Sequence, residues 1–150
     1  MLSSEMIQLI ENHSAGMVAT RRADGNAAVS PKATFVVLDS ATIAFGNIRS
    51  PGTVANLRRH PELEVCFLDV LERKAVRIAG SARIVRKREA TPSLAKAFNN
   101  VWPDYVDLMS AYVVISISAA ELILSPAYDI GMTESELREL YRAKLGIDAR

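Results

Sequence analysis

The sequence has few of the residues that build most catalytic and metal sites. It contains one cysteine and two histidines, so no intrachain disulfide can form and no zinc-ligand spacing occurs. Cys66 lies in the apolar run LEVCFLDV and is expected to be a buried small side chain in a reducing cytoplasm. His13 and His60 each lie at the predicted end of a helix, where the helix dipole favours a cation without any catalytic role.

Motifs of several enzyme classes are also missing. The chain has no Asp-rich calcium loop, no GxSxG and no GxxxxGK, which argues against nucleophile-elbow hydrolases and nucleoside triphosphatases. Glu62 and Glu64 would share one face of a strand, and surface solvation explains that pair. The residues therefore predict no catalytic side chain and no metal site.

Net charge of either sign is nearly absent as well. The 18 Lys+Arg and 17 Asp+Glu leave a formal charge of +1, so no overall field attracts nucleic acid or an acidic membrane. The basic patch RKRE at 86–89 has no neighbouring aromatic side chain to stack on bases. No apolar run approaches the roughly 18 residues of a membrane span, and the start MLSSEMIQLIENH is unlike a signal peptide. We expect no nucleic-acid partner, no membrane partner and a cytoplasmic location.

What the chain does have is enough apolar material for one core. Its 150 residues are 49% hydrophobic and show no repeat or linker, which predicts a single domain over residues 1–150. A short helix is expected between Ser3 and Gly16, followed by a hairpin. In that hairpin GMVATRR turns at ADGN and returns as one strand through AAVSP and TFVVLD. Pro31 lacks an N–H, so the returning strand requires a bulge or an edge position there.

The remaining pattern alternates strands with short helices. Strands are predicted at Thr42–Phe45, ELEVCFLDV, KAVRIAGSARIVR and AYVVISISA, with a bulge or bend at Gly80. Helices are predicted at SPGTVANLRRHP, TPSLAKAFNN and TESELRELYRAKLG, the last with a capping box. Short turns between long extended runs favour antiparallel pairing. The sum is an α+β, mainly β protein whose five or six strands form a curved sheet or barrel.

The stretch FGNIRSPGTVANLRRHP gathers the chain's most suggestive polar residues. A helix start presents free N–H groups and partial positive charge, and Ser50, Gly52 and Thr53 lie there with Arg49 beside them. A phosphate would bind well at such a turn. The alternative is that the hydroxyls only cap the helix and the arginines are solvated. In an antiparallel meander VSPKATF and IAFGNIRS would be neighbouring strands, which would bring Lys32 next to this turn and form a site for a flat, phosphorylated cofactor.

Three segments in this order resemble a known family. VATRRADGNAAVSPK, RSPGTVANLRRHP and RIAGSARIV are similar to the pyridoxamine 5'-phosphate oxidase-like flavoproteins of the FMN-binding split-barrel class. The resemblance covers residues 3–88 well and the rest more loosely. It implies a six-stranded antiparallel split β-barrel with short flanking helices, and a homodimer with FMN at the subunit interface.

The resemblance also implies a set of cofactor-binding residues. The flavin ring would be lined by Ser30, Pro31, Lys32 and Ala33. The ribityl phosphate would be held by Arg49, Ser50, Gly52 and Thr53, with Asn47 more distant. Tyr128 could reach the ring from a partner subunit. Gly52 stands where the oxidases usually have a lysine, a loss that Arg49 or Arg58 could offset. The oxidases' C-terminal Arg/His substrate motif is absent, which argues against pyridoxal phosphate synthesis.

Three functions are compatible with these residues. The first is a small FMN-dependent oxidoreductase, in which the flavin carries the hydride or electrons and no general acid or base is required. The second is a carrier or sensor that binds FMN or the deazaflavin F420 without turnover. The third is an interaction module whose barrel has lost its ligand, for which Gly52 is the only support.

Overall fold

A computed structural model describes residues 1–147 as one antiparallel sheet with four α-helices. The helices α1–α4 cover Ser4–Asn12, Pro51–Arg59, Pro92–Val101 and Glu134–Lys144. The strands β1–β7 cover Gly16–Arg21, Ala27–Lys32, Phe35–Asp39, Thr42–Asn47, Glu62–Asp69, Lys74–Arg86 and Ala111–Leu124. Short 3-10 helices lie at Lys87–Glu89, Val106–Leu108 and Pro126–Ile130. The predicted α+β, antiparallel class is confirmed.

The sheet has seven strands in the order β2-β1-β5-β6-β7-β4-β3, one more than the six predicted. The extra strand arises because the segment predicted as the single second strand of the first hairpin forms two strands, β2 and β3. β2 pairs with β1, whereas β3 leaves that ladder and pairs with β4. Pro31 lies in β2, which forms one edge of the sheet. Of the two predicted alternatives, a bulge or an edge position, the edge position therefore accommodates the missing N–H.

The two edge strands are joined directly along the chain. Only Ala33 and Thr34 separate β2 from β3, although these strands lie at opposite edges of the sheet. The three Cα steps from Lys32 to Phe35 span at most about 11 Å. The sheet must therefore curl until its edges nearly meet, which is the geometry of a barrel that is open along part of its length.

The core fills the inside of this curled sheet. Phe35, Phe45 and Phe67 are almost fully buried, and the rings of Phe35 and Phe67 meet edge to face with centroids 4.8 Å apart. A second apolar cluster lies beneath α3, where Phe98 stacks on Tyr112 at 4.4 Å. Cys66 alternates with the buried Val65 and Phe67 and is half-buried on the other face of β5, so its predicted burial is wrong.

Several local predictions are confirmed. His13 and His60 are the C-cap residues of α1 and α2, and Thr133 with Glu136 forms the capping box of α4. The register of β6 against β7 shifts between Ala79 and Gly80. A Cβ on Gly80 would lie 2.5 Å from the main-chain oxygen of Ser116, so this irregularity requires a glycine.

Candidate functional site

A cavity of about 600 Å³ lies between β2 and the N-terminus of α2, a volume typical of small-molecule sites. We call it the α2 cavity. Its walls come from the β1–β2 hairpin on one side and from the start and one face of α2 on the other. They consist of Thr20, Arg22, Ala23, Asp24, Ala28, Val29, Ser30, Lys32, Arg49, Ser50, Pro51, Gly52, Thr53, Asn56 and Arg59.

The helix start contributes donors that the fold itself does not use. Ser50 occupies the N-cap position, but its side chain makes no capping hydrogen bond. Its carbonyl accepts from the Val54 N–H at 3.0 Å, which leaves the first-turn N–H groups of Gly52 and Thr53 without a helical acceptor. Ser50 and Thr53 are only 7% and 8% exposed. Within residues 1–147, neither of their hydroxyl groups takes part in a side-chain hydrogen bond. The hydroxyl groups that could have capped α2 are therefore free hydrogen-bond donors that face a cavity.

The charge of the α2 cavity is positive. Arg22, Lys32, Arg49 and Arg59 line it, and none of them belongs to the ion pairs found among the described residues. The single lining acid, Asp24, accepts hydrogen bonds from the main-chain and side-chain nitrogens of Asn26. An anion could therefore bind without displacing an internal carboxylate.

Lys32 lies on the hairpin side of the α2 cavity, pointing to the same side of β2 as Ser30. Its Nζ donates to the Ser30 hydroxyl at 2.8 Å. Burial in the cavity wall lowers the pKa of the Lys32 ammonium group, because desolvation disfavours the charged form. A bound anion would offset that cost.

A row of polar side chains that the sequence reasoning missed supports the opposite wall. The Asn56 amide nitrogen donates to the Thr20 hydroxyl at 3.0 Å, and the Arg59 guanidinium donates to the Asn56 amide oxygen at 2.8 Å. Thr20 and Asn56 are each 7% exposed, so this relay fixes the orientation of Arg59. The available signal was helical spacing, since Gly52, Asn56 and Arg59 follow one another at i, i+4 and i+7 on one face.

Six of the ten predicted site residues come together in the α2 cavity, namely Ser30, Lys32, Arg49, Ser50, Gly52 and Thr53. The structural elements that bring them together differ from those predicted. VSPKATF and IAFGNIRS are not neighbouring strands, because β2 pairs only with β1 and the strand beside β4 is β3. The curl of the sheet and the position of α2 bring the two segments together instead.

The other four predicted residues lie outside these walls. Pro31 is exposed between Ser30 and Lys32, since successive side chains of a strand point to opposite faces, and Ala33 follows the end of β2. Asn47 donates to the Ser110 hydroxyl at 3.1 Å, and its amide oxygen is buried without a partner. Tyr128 donates to the Glu72 carbonyl at 2.5 Å. Arg58, considered as a substitute cation, lines a separate cavity.

Two site types are not found in the part of the chain that the structure describes. Residues 1–147 contain no group of three or more His, Cys, Asp or Glu side chains placed to hold a metal ion. Among the same residues, none of the helices has the length and apolar character needed to cross a membrane.

Comparison with known proteins gives a family match and a fold match. The family model described as pyridoxamine 5'-phosphate oxidase matches residues 2–125. Among solved structures, HupZ of Group A Streptococcus is 24% identical with a TM-score of 0.72, covering 83% of this chain and 96% of that one. An FMN-binding protein of Syntrophomonas wolfei is 13% identical with a TM-score of 0.65, covering 81% and 86%. A protein described as an F420 reductase is 18% identical with a TM-score of 0.63, covering 80% and 98%. No curated protein matches the chain significantly in sequence.

Proposed function

Because the chain belongs to the pyridoxamine 5'-phosphate oxidase family, we propose that it is a small FMN-binding oxidoreductase of one domain whose α2 cavity holds the flavin. The observation that carries this proposal is the start of α2, where the hydroxyl groups of the buried residues Ser50 and Thr53 and the first-turn N–H groups face cations that form no ion pair within residues 1–147. This donor set suits a phosphate monoester, which has only acceptors to offer and a charge of about −2.

The phosphate end of the ligand would lie at the helix start. Ser50 and Thr53 would donate hydroxyl hydrogen bonds, the Gly52 and Thr53 N–H groups would add main-chain donors, and Arg49 would supply a charge-assisted contact. Arg59, fixed by the Thr20–Asn56 relay, adds a second oriented cation. The oxidases have a lysine where this chain has Gly52. Arg59 and Arg22 in the cavity walls would offset the absence of that positive charge.

The ring end would lie along β2. Ser30 and Lys32 face the cavity there and would contact the polar edge of the ring, while Ala28, on the same side of β2, offers apolar surface. When bound, FMN supplies hydride or electron transfer itself. The protein's part is to bind and orient the flavin, and its ammonium group at Lys32 would favour negative charge on the nearby edge of the ring.

A second subunit would complete the site in this proposal. Val29 borders the cavity and is 66% exposed, with its side chain on the face of β2 opposite to Ser30 and Lys32, so β2 offers apolar surface that a partner can cover. A homodimer of the kind that the family resemblance implies would provide that cover, with Tyr128 of one subunit as the residue expected to approach the ring of the other.

The second candidate function is a carrier or sensor for FMN or the deazaflavin F420. The likeness to a protein described as an F420 reductase supports the deazaflavin. The two cofactors differ in mass and absorption, so direct analysis of the bound molecule distinguishes them.

The test is an absorption spectrum of freshly purified protein, followed by mass spectrometry of the molecule released on denaturation. Bound FMN that is bleached by reduced nicotinamide and recovers its colour with an acceptor is the expected result. Bound FMN or F420 without turnover would favour the carrier. A colourless protein that takes up neither cofactor when it is added would overturn both functions.

Arg49→Ala together with Thr53→Ala tests the site itself. We expect a loss of FMN affinity of at least tenfold with unchanged circular dichroism, since each side chain removes one phosphate contact. Arg88→Ala is the matched control, because Arg88 is exposed and lies outside the α2 cavity. Unchanged affinity in the double variant would contradict the assignment of the phosphate.

A further inference from the structure

A second cavity of about 510 Å³ lies at the other end of α2. We call it the β6 cavity, because the second half of β6 forms its floor together with Leu57 of α2. It shares no lining residue with the α2 cavity, so a ligand there would not compete for the proposed phosphate contacts.

The main chain of β6 is incompletely paired at this point. Pairing with β5 ends at Ser81 opposite Glu62, and the Ala82 N–H donates to the Pro61 carbonyl at 2.8 Å. Pairing with β7 continues on the other side as far as Arg86 opposite Ala111. Beyond Ala82, β6 therefore has a neighbouring strand on one side only.

The direction of one free donor follows from this register. In an antiparallel strand, the main-chain groups of alternate residues point to the same side. The Ala82 N–H points away from β7, towards Pro61, so the Ile84 N–H points the same way. Within residues 1–147 no strand lies there to accept from it, and Ile84 lines the β6 cavity. The cavity thus contains a main-chain donor at a sheet edge.

The rim of the β6 cavity carries two cations. Arg58 of α2 and Arg86 of β6 line it and are exposed, and neither forms an ion pair within residues 1–147. Glu89 is the only acid in the lining, so the formal charge of the rim is +1. The floor is apolar, with Leu57 3% exposed and Ala82 and Ile84 half-buried beside it.

From this arrangement we propose that the β6 cavity binds a small organic monocarboxylate with an apolar body. The carboxylate lies between the Arg58 and Arg86 guanidinium groups and accepts from the Ile84 N–H, and the apolar body covers the half-buried side chains of Ala82 and Ile84. A guanidinium group matches a carboxylate in a two-bond geometry. The single net charge and the apolar floor favour a monocarboxylate over a phosphate, for which the α2 cavity has the better donors. This site is independent of the flavin proposal.

The experiment is a titration of the ¹⁵N-labelled full chain with sodium hexanoate, followed by NMR. We expect a saturable shift of the Ile84 amide signal. Arg58→Gln with Arg86→Gln should raise the dissociation constant at least tenfold, and Arg86→Lys should give an intermediate value because it keeps the charge and loses the two-bond geometry. The matched control is Arg83→Gln, which changes a neighbouring arginine of β6 that lies outside the β6 cavity and should leave the affinity unchanged.

Four results would overturn the proposal. A shift that does not saturate would mean that no site exists, and equal affinity in the double glutamine variant would remove the arginines from it. Hexan-1-ol binding as tightly as hexanoate would show that the cavity recognises the apolar body alone. Inorganic phosphate binding at the Ile84 amide more tightly than hexanoate would replace the carboxylate with a different anion. Circular dichroism of each variant confirms that these exposed substitutions leave the fold intact.

Discussion

At the scale of single residues, Gly52 shows that a missing side chain can leave a usable space. A Cβ placed on Gly52 would meet no heavy atom within 4 Å beyond its chain neighbours and the backbone of its own helix, and the residue lies in the first turn of α2 at the wall of the α2 cavity. The position is therefore open to a larger side chain without rearrangement of the helix.

Gly52→Lys should strengthen FMN binding by about two- to fivefold. One more cation near a phosphate at a helix start contributes about 0.5 to 1 kcal/mol when it is exposed. Fluorescence quenching of FMN on titration measures the change, with Gly52→Gln as the control for added bulk. A lysine variant that binds no better than the glutamine variant would place the phosphate elsewhere.

Lys32 gives the proposed flavin site an expected pH dependence with a defined sign. Burial lowers the pKa of Lys32 below its ordinary value of 10.5, so the free site loses this cation at lower pH than an exposed lysine would. The contribution of Lys32 to FMN affinity should be complete near neutral pH and decline as the pH rises towards 10.5. Dissociation constants measured across this range for the wild type and Lys32→Met check it, and parallel pH profiles for the two proteins would contradict it.

At the scale of elements, one lysine joins the two terminal helices to the sheet. Lys74 of β6 is 7% exposed, and its ammonium group pairs with Glu5 of α1 at 2.9 Å and with Glu134 of α4. Burial alone would lower the pKa of Lys74, but hydrogen bonds and charge attraction from Glu134 and Glu5 raise it above its usual value.

Lys74→Met should lower the free energy of unfolding at pH 7 by about 1 to 3 kcal/mol, because two carboxylates lose a hydrogen-bonded cation. The pKa of Lys74 is higher in the folded than in the unfolded chain, so its stabilising effect is complete below pH 10.5 and declines above it. Urea titrations of both proteins at pH 7 and above pH 10.5 measure this. An equal difference in stability at both pH values would contradict it.

The irregularity in β6 depends on a glycine for steric reasons. Gly80→Ala should cost about 1 to 3 kcal/mol, since its Cβ would meet the main-chain oxygen of Ser116 at 2.5 Å and the backbone would have to shift. Gly52→Ala is the matched control, because the same change meets no atom there. Thermal unfolding of the two variants should show a loss only for Gly80→Ala, and equal melting temperatures would be evidence against the steric argument.

At the scale of the whole molecule, ligand binding and folding are linked. FMN at a hundred times its dissociation constant should stabilise the fold by about 2.7 kcal/mol, which raises the melting temperature by about 5 to 10 °C for a chain of this length. Riboflavin, which lacks the phosphate, should raise it less, and the Arg49→Ala, Thr53→Ala double variant should lose this difference. Equal shifts with FMN and riboflavin would show that the phosphate is not bound.

Features that depend on residues close together in the sequence could be predicted, whereas features that depend on contacts between distant segments could not. Local signals located the four α-helices, because Ser3, Pro51, Thr91 and Thr133 act on their own first turns, whereas the three short 3-10 helices were not predicted. The separation of β2 from β3 was missed, since it depends on which distant strand each one pairs with. The same limit applies to the candidate site. Residues at the start of α2 were predicted, whereas Thr20 enters only through a hydrogen bond to Asn56, 36 positions along the chain.

The two-residue connection through Ala33 and Thr34 also determines where this chain can be cut or lengthened. It is the only covalent tie between the two edge strands of the sheet at that point. A circular permutation that opened the chain there would release both edges at once and expose their unpaired main-chain groups to other molecules. An opening in the ADGN turn would leave both edges tied, but Ala23 and Asp24 of that turn line the α2 cavity. Termini placed there should therefore preserve the sheet while altering a wall of the proposed flavin site.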